Sequence, residues 1–294
     1  MSKHLPPVRV AAIHDLSCFG RCALTVVIPT LSVMGYQVVP IPTALLSTHT
    51  GGFTDLHFRD LTADMEATAD HFSRLGTSFG AIYTGFLGSA EQIETVSRII
   101  QKFGSRPDER GNTPIILVDP VMGDDGELYS TYTPELVRGI RALCRHAGII
   151  TPNLTEACLM TKTEYRDTAK LPKSDALTFV SWLLRTLTAY TNGAIVITGV
   201  PLCDGTLANV GRDANGKEFI VCRPHEAQHY PGTGDLFASV LLGKLLAGAS
   251  LPDACADAAD FTSHVMHESA KIDTPAREGV ALEYHLERLI PHRD

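Results

Sequence analysis

The densest chemical signal in this 294-residue chain is the run Pro231-Gly232-Thr233-Gly234-Asp235, which leads straight into the apolar stretch 236–242. A glycine turn that opens a helix points several unpaired backbone N–H groups in one direction. With the positive end of the helix dipole they form an anion site, and glycine lets the backbone come close to a phosphate. Asp235 falls in the first turn, placed to take a proton from an attacking alcohol. Together these are the parts of a phosphoryl-transfer site, where positioning and charge stabilisation dominate. Taken alone, the same residues also describe a helix start with a stabilising early acid. The run is not a Walker A loop, because no Gly-Lys-Ser/Thr follows. Nor is it the dinucleotide fingerprint, because the first strand–helix turn carries only Gly20.

Positioning such a loop requires a scaffold, and the chain reads as alternating strands and helices. Short apolar runs predict strands over 8–13, 37–41, 81–84, 115–118, 148–150 and 194–197. Helical spacing predicts helices over 22–34, 90–103, 134–144, 174–190, 234–247 and 252–267. Gly35 ends the first helix where a left-handed cap is cheap, and Pro40 and Pro42 place the second strand at an edge or a strand end. Strands over 206–210 and 218–222, with Asn215-Gly216 between them, predict an antiparallel hairpin. The implied fold is α/β: a mostly parallel sheet with helices on both faces.

In such sheets ligands gather at the carboxyl ends of the strands. Here those ends carry Asp15, Gly85-Phe86, Asp119, the segment 151–156 with Asn153 and Glu156, and Thr198-Gly199. The polar, glycine-bearing stretch 43–60 predicts a flap over the site. Each residue has an ordinary structural explanation when isolated. Glu156 suits a first-turn helix acid, Asp124 an acidic turn with Asp125 and Gly126, Thr198 a strand end and His49 a polar loop position. Only their joint placement favours a site. No internal repeat or linker divides the chain, so 1–294 reads as one domain.

Composition narrows the function classes. A hydrophobic content of 44% fills a large core, which argues against disorder. The formal charge of −8 argues against nucleic acid or an anionic membrane as partner. The seven cysteines include no Cys-x-x-Cys pair, so no zinc knuckle or dithiol motif is indicated. Scattered thiols suit a reducing compartment. The first residues lack the apolar run of a signal peptide, and a cytoplasmic protein is expected.

Five further segments, in this order, complete the pattern: Phe19-Gly20 with Pro29, Leu31 and Gly35; Ser47-Thr48-His49-Thr50-Gly51; Gly85-Phe86-Leu87-Gly88-Ser89; Asp119-Pro120-Val121-Met122-Gly123-Asp124; and Thr151-Pro152-Asn153-Leu154-Thr155-Glu156. With the Gly-Thr-Gly-Asp helix start, they resemble the pyridoxal/pyridoxamine (vitamin B6) kinase branch of the ribokinase-like superfamily over about 8–270. The resemblance implies that Asp235 deprotonates a hydroxymethyl oxygen and that Gly232, Thr233 and Gly234 line the anion hole. It implies nucleotide contacts at Asp119, Asn153, Thr198, Gly199, Gly232 and Thr233, with 223–230 in the nucleotide wall. Asp124 and Glu156, beside Asn153, would hold Mg2+, and Asp15, His49, Thr50 and Phe86 would face the vitamer. ATP is the implied donor, K+ an implied activator and a homodimer the implied assembly.

The ring side departs from that pattern. Asp15 stands where the B6 kinases often have serine, and Phe86 replaces a common tyrosine. Hydroxymethylpyrimidine kinases also carry an aspartate in the first loop, but theirs runs through Ser-Gly-Gly-Ala-Gly, whereas this one reads Ser17-Cys18-Phe19-Gly20-Arg21. A pyrimidine or other small-alcohol kinase is therefore the alternative of the same class. A catalytically inactive pyridoxal phosphate-binding protein is the alternative of another class, and the intact Asp235, Asn153 and Glu156 oppose it. Cys18 and Cys22 read as packed thiols rather than aldehyde traps.

Overall fold

The computed structural model describes residues 6–130, 132–226 and 228–291. The first five residues, part of the stretch read above for a leader, and Ala227, in the expected nucleotide wall, lie outside the described residues. The chain runs β1 (Arg9–Ile13), β2 (Leu16–Phe19), α1 (Leu24–Val33), β3 (Gln37–Pro40), β4 (Ala44–Thr48), β5 (Phe58–Asp60), α2 (Thr62–Arg74), β6 (Ala81–Thr84), α3 (Ala90–Phe103), β7 (Ile115–Val118), β8 (Gly123–Asp124) and β9 (Glu127–Leu128). It continues through α4 (Pro134–Leu143), β10 (Ile149–Ile150), α5 (Leu154–Thr161), α6 (Lys173–Leu187), β11 (Ala194–Pro201), β12 (Thr206–Arg212), β13 (Glu218–Pro224), α7 (Thr233–Leu246) and α8 (Leu251–Ser269).

Eight strands form the main sheet in the order β13-β12-β11-β10-β7-β6-β1-β3. All neighbours from β11 to β3 pair parallel, and the β12–β13 hairpin closes the other edge antiparallel. The proline-bearing β3 is the opposite edge strand, where a missing N–H harms no ladder. Along β1, Val10 and Ala12 join one core while Ala11 and Ile13 join the other. That two-residue alternation is why a sheet covered on both faces reads as continuous apolar runs.

The chain leaves β1 for β3 on one side and then crosses to β6 on the other. This reversal puts α1, α7 and α8 on one face and α2 through α6 on the other, and it opens a crevice at the carboxyl ends, where such sheets bind ligands. The helices obey local rules: α3 buries Ile93, Val96, Ile99, Ile100 and Phe103 on one stripe, and the Ser89 hydroxyl accepts from the Gln92 N–H at its start. Each such fully buried side chain is worth about 1.5–3 kcal/mol. Gly35 takes φ 93°, the left-handed position expected of it.

The sequence reading overlooked α2 and α5. The first buries only Thr62, Met65 and Ala69, too few for a clear stripe, and the second has eight residues. The expected flap is a three-stranded sheet, β2-β4-β5, of which β2 had not been anticipated.

Candidate active site

The start of α7 leaves its first backbone N–H groups outside the helical ladder. Gly232 caps the helix at φ 79° and supplies no side-chain hydrogen bond. The first bond of the ladder runs from the Leu236 N–H to the Gly232 carbonyl, so the N–H groups of Thr233, Gly234 and Asp235 precede it. The two glycines differ in reason. A Cβ on Gly232 would lie 2.1 Å from the Arg21 carbonyl, so packing and backbone both demand glycine there. A Cβ on Gly234 would meet nothing within 4 Å; its bareness leaves open space beside the N–H groups. The Thr233 hydroxyl donates to the Tyr230 carbonyl and steadies the turn.

Asp235 faces inward from this helix start. Its Oδ2 accepts the Ala23 backbone N–H at 2.8 Å, and its Oδ1 lies 3.6 Å from Nδ1 of His14. Two more buried carboxyls approach it. Asp15 accepts the Ser17 hydroxyl at 2.8 Å, and burial, then the charge of Asp235, push it up to about 6. Asp119 accepts the Thr151 hydroxyl at 3.1 Å, and burial with the same neighbour raises it to about 8.

Glu156 is driven well above the usual carboxylate range by burial and by Asp119, against the opposing pull of two backbone N–H groups. Those donors are Met122 to Oε1 and Asn153 to Oε2. Asn153 returns the bond from the Glu156 N–H and donates its amide to the Gly123 carbonyl. Both side chains therefore form a capping box at the start of α5, the structural role that Glu156 also had in isolation. Asp124 sits on the β8–β9 hairpin with 40% of its side chain exposed; burial raises it, and His229 lies 3.8 Å away.

Thr198 is tied to Pro152 through its N–H and bridges to Asn153, and the chain bulges immediately after it. Gly199 takes φ 64° with open space around it, and its N–H reaches Oδ1 of the buried Asn209. The crevice thus gathers Asp15, Asp119, Asn153 with Glu156, Thr198 and Asp235 from five separate segments.

The ring side is organised by the flap. The Gln92 amide donates to the Thr43 carbonyl and to Asp60, and its carbonyl accepts from the Gly88 N–H. These bonds tie the flap base to the loop carrying Phe86, which stays half-buried with its ring edge-on to Tyr132. His49 is fully engaged elsewhere. Nδ1 accepts the Gly51 N–H at 3.1 Å, so Nε2 carries the proton and donates to the Arg277 carbonyl at 2.7 Å. Burial lowers its pKa and keeps it neutral. His49 therefore ties the flap to the C-terminal segment, with Phe53 beside it and the Arg277 guanidinium 4.9 Å over that ring. Thr50 is exposed.

Sequence reading missed His14, Ala23, Ser17, Thr151 and Arg277. Ser17 and Thr151 lie close to Asp15 and Asp119 in register, which is a usable signal. The approach of Arg277 to His49, 228 residues away, has none.

Mg2+ is the ion such a fold family implies, and the residues suit it in a limited way. Asp119 and Glu156 are neighbouring buried carboxyls, both raised first by burial and then by a nearby carboxylate, Asp235 for the former and Asp119 for the latter. No cluster of three or more acidic, histidine or cysteine ligands occurs among the described residues. Mg2+ usually takes one or two carboxylates and completes its shell with water and phosphate, and this pair fits that pattern.

A glycine-lined helix start, an inward carboxylate and paired buried acids at the carboxyl edge of this sheet define a small-molecule phosphotransferase with a ribokinase-like fold. The phosphomethylpyrimidine kinase family model matches residues 26–278, and the chain belongs to this family of kinases, with the pyridoxal kinases among its relatives. The pyridoxine/pyridoxal/pyridoxamine kinase of Bordetella avium is 28% identical over 281 residues, covering 92% of this chain and 90% of that one. A Bacteroides thetaiotaomicron protein provisionally named phosphomethylpyrimidine kinase, crystallised in an orthorhombic form with pyridoxal, is 38% identical, covers 96% of both chains and superposes with a TM-score of 0.87. Pyridoxal kinase from Lactobacillus plantarum is 29% identical over 96% of both chains, with a TM-score of 0.85.

Proposed function

We propose that the protein transfers the terminal phosphoryl group of ATP to the hydroxymethyl oxygen of pyridoxal, pyridoxine or pyridoxamine. The observation that carries this reading is the contrast between the two loop glycines beside an inward carboxylate. Gly232 is fixed by packing, whereas Gly234 leaves open space at a helix start whose first three N–H groups precede the ladder. Asp235 takes the alcohol proton, the new O–P bond forms, and the β,γ-bridging bond breaks as ADP leaves. The N–H groups of Thr233, Gly234 and Asp235 stabilise charge on the transferring oxygens. Asp15 and Phe86 orient the ring, the former by pairing with a ring N–H or a hydroxyl, with Thr50 at the flap edge. Thr198, Gly199, Asn153 and Asp119 border the nucleotide phosphates.

When bound, Mg2+ would neutralise phosphate charge, held through Asp119 and Glu156 with Asp124 at the rim. ATP as donor is supported by the kinase family and by a fold relative, pyridoxal kinase of Leishmania donovani, whose structure is described with ADP and pyridoxine. K+ activation, homodimer assembly and residence of the whole chain as one unit in the cytosol belong to the same reading. The seven free cysteines support the compartment, and no described helix is long and apolar enough to cross a membrane.

The test is purified protein with Mg-ATP and each of the three vitamers, with phosphorylated product read by mass spectrometry. No product from any vitamer overturns the proposal. The family model's own name and the Asp15 carboxylate favour one second reading, a hydroxymethylpyrimidine kinase. A clear preference for the pyrimidine in the same assay would establish it.

A further inference from the structure

His14 closes β1, next to Asp15, and its side chain is fully buried. Neither ring nitrogen has a hydrogen-bond partner among the described residues. A neutral imidazole carries one donor and one acceptor, and leaving both unmade in the interior is unfavourable. Such a group needs an explanation, and its surroundings supply one. Nδ1 lies 3.6 Å from Oδ1 of Asp235, just outside bonding distance.

Three elements hold the ring there. It stands edge-on to Tyr83 of β6, centroids 4.3 Å apart at 80°. Gly85, at the end of β6, leaves the space that the ring fills, since a Cβ there would sit 2.3 Å from Nδ1 and 2.6 Å from Cε1. Opposite, the Ala23 N–H binds the other carboxylate oxygen, and Ala23 adopts φ 48°, a left-handed value that a non-glycine residue rarely takes. Strain of this kind persists where the surroundings over-determine it, often at active sites. The carboxylate is thus gripped along one oxygen and faced by an imidazole at the other.

We infer that His14 is a positioning residue for Asp235: its Nδ1–H and the Ala23 N–H fix the carboxylate between them, leaving a lone pair of Oδ1 toward the acceptor alcohol. The imidazole does not touch substrate. The titratable groups around the pair are Asp15 from the end of β1, Tyr83 from β6, Asp119 from β7 and Cys22 from the turn before α1. None of these supplies a positive charge. Catalytic hydrogen bonds are often long before ligands bind and tighten in the complex, which accounts for the 3.6 Å gap.

The inference rests on the reading of Asp235 as the base, and the experiment separates the two. Wild type, His14→Leu, His14→Gln and Gly85→Ala are compared on the alcohol that wild type accepts, with kcat, both KM values and the pH–rate profile measured. His14→Leu is expected to lose ~10- to 100-fold in kcat, the scale of a small misplacement of reacting groups, with both KM values nearly unchanged. Its pH–rate profile is expected to differ from wild type, because the carboxylate has lost the N–H donor facing Oδ1. His14→Gln keeps an N–H donor and should recover most of the loss. Gly85→Ala, which displaces the ring without removing it, should reproduce the defect more mildly and carries the test if His14→Leu does not fold. Variants matching wild type in kcat and pH profile would overturn the inference alone, as would losses confined to melting temperature. A wild type inactive on every alcohol would overturn the reading of Asp235, and this inference with it.

Discussion

The two halves of the crevice are built on different principles. The phosphate half is made of main chain: a helix start, two glycines, a strand bulge and a capping box that freezes Asn153 and Glu156. The ring half is made of side chains on a small sheet whose closure depends on Gln92 at its base and on His49 reaching Arg277. Phosphate is the same in every substrate of such an enzyme, so fixed N–H groups serve it. The acceptor alcohol is what differs between kinases, and replaceable side chains on a flap are where that difference can be written. The departures from the B6 pattern, Asp15 and Phe86, both fall in the ring half.

The largest expected effect comes from the phosphate half. Asp235→Ala should lower turnover at least ~100-fold, the range for losing a general base, while calorimetry still detects nucleotide and vitamer binding. Unchanged turnover would remove Asp235 from the mechanism and leave the comparison without its centre.

Next is the charge stored beside it. Asp119 is raised from 3.8 to about 8 by burial and by Asp235, so the unfolded chain binds fewer protons than the folded one between those values. The contribution of Asp119 to the stability of the unliganded protein therefore falls as pH rises through that window and is most favourable below it. Asp119→Asn should stabilise the protein at pH 8 by about 1–3 kcal/mol while abolishing most activity. Equal melting temperatures for variant and wild type at pH 8 would show that the pocket stores no such penalty.

A smaller effect separates the glycines. Gly234→Ala should leave the melting temperature unchanged and cut kcat/KM by ~10-fold, since its Cβ would meet no protein atom. Gly232→Ala, with a clash against Arg21, should lower stability as well. If both variants behaved alike in thermal melts, the distinction between a packed and a ligand-facing glycine would fail.

The smallest effect lies in the ring half. His49→Ala removes the hydrogen bond that latches the flap to Arg277 and a second one within the flap to Gly51, worth about 1 kcal/mol each. KM for the acceptor should rise ~5-fold with kcat and KM for ATP nearly unchanged. A loss in kcat comparable with that of Asp235→Ala would place His49 at the reacting group and break the division between the halves.

What the sequence determined by itself was whatever depends on local period and backbone chemistry. The strand–helix alternation, the Asn215-Gly216 hairpin, the edge position of the proline-bearing β3 and the Gly-Thr-Gly-Asp helix start are all written within a few consecutive residues. So is the gathering of polar strand ends, because a parallel sheet puts them on one edge. The sequence was silent on α2, whose stripe is three residues, and on how candidate residues are used. The capping box of Asn153 and Glu156 is local and legible within four residues, whereas His49 as a latch and His14 behind Asp235 arise from approaches between distant segments. Such contacts are set by packing across the sheet and by the space glycines such as Gly85 leave open. The chemistry available at the site was therefore local information, while which side chains meet across the fold, and which are tied up in structural bonds, was decided only in the folded molecule.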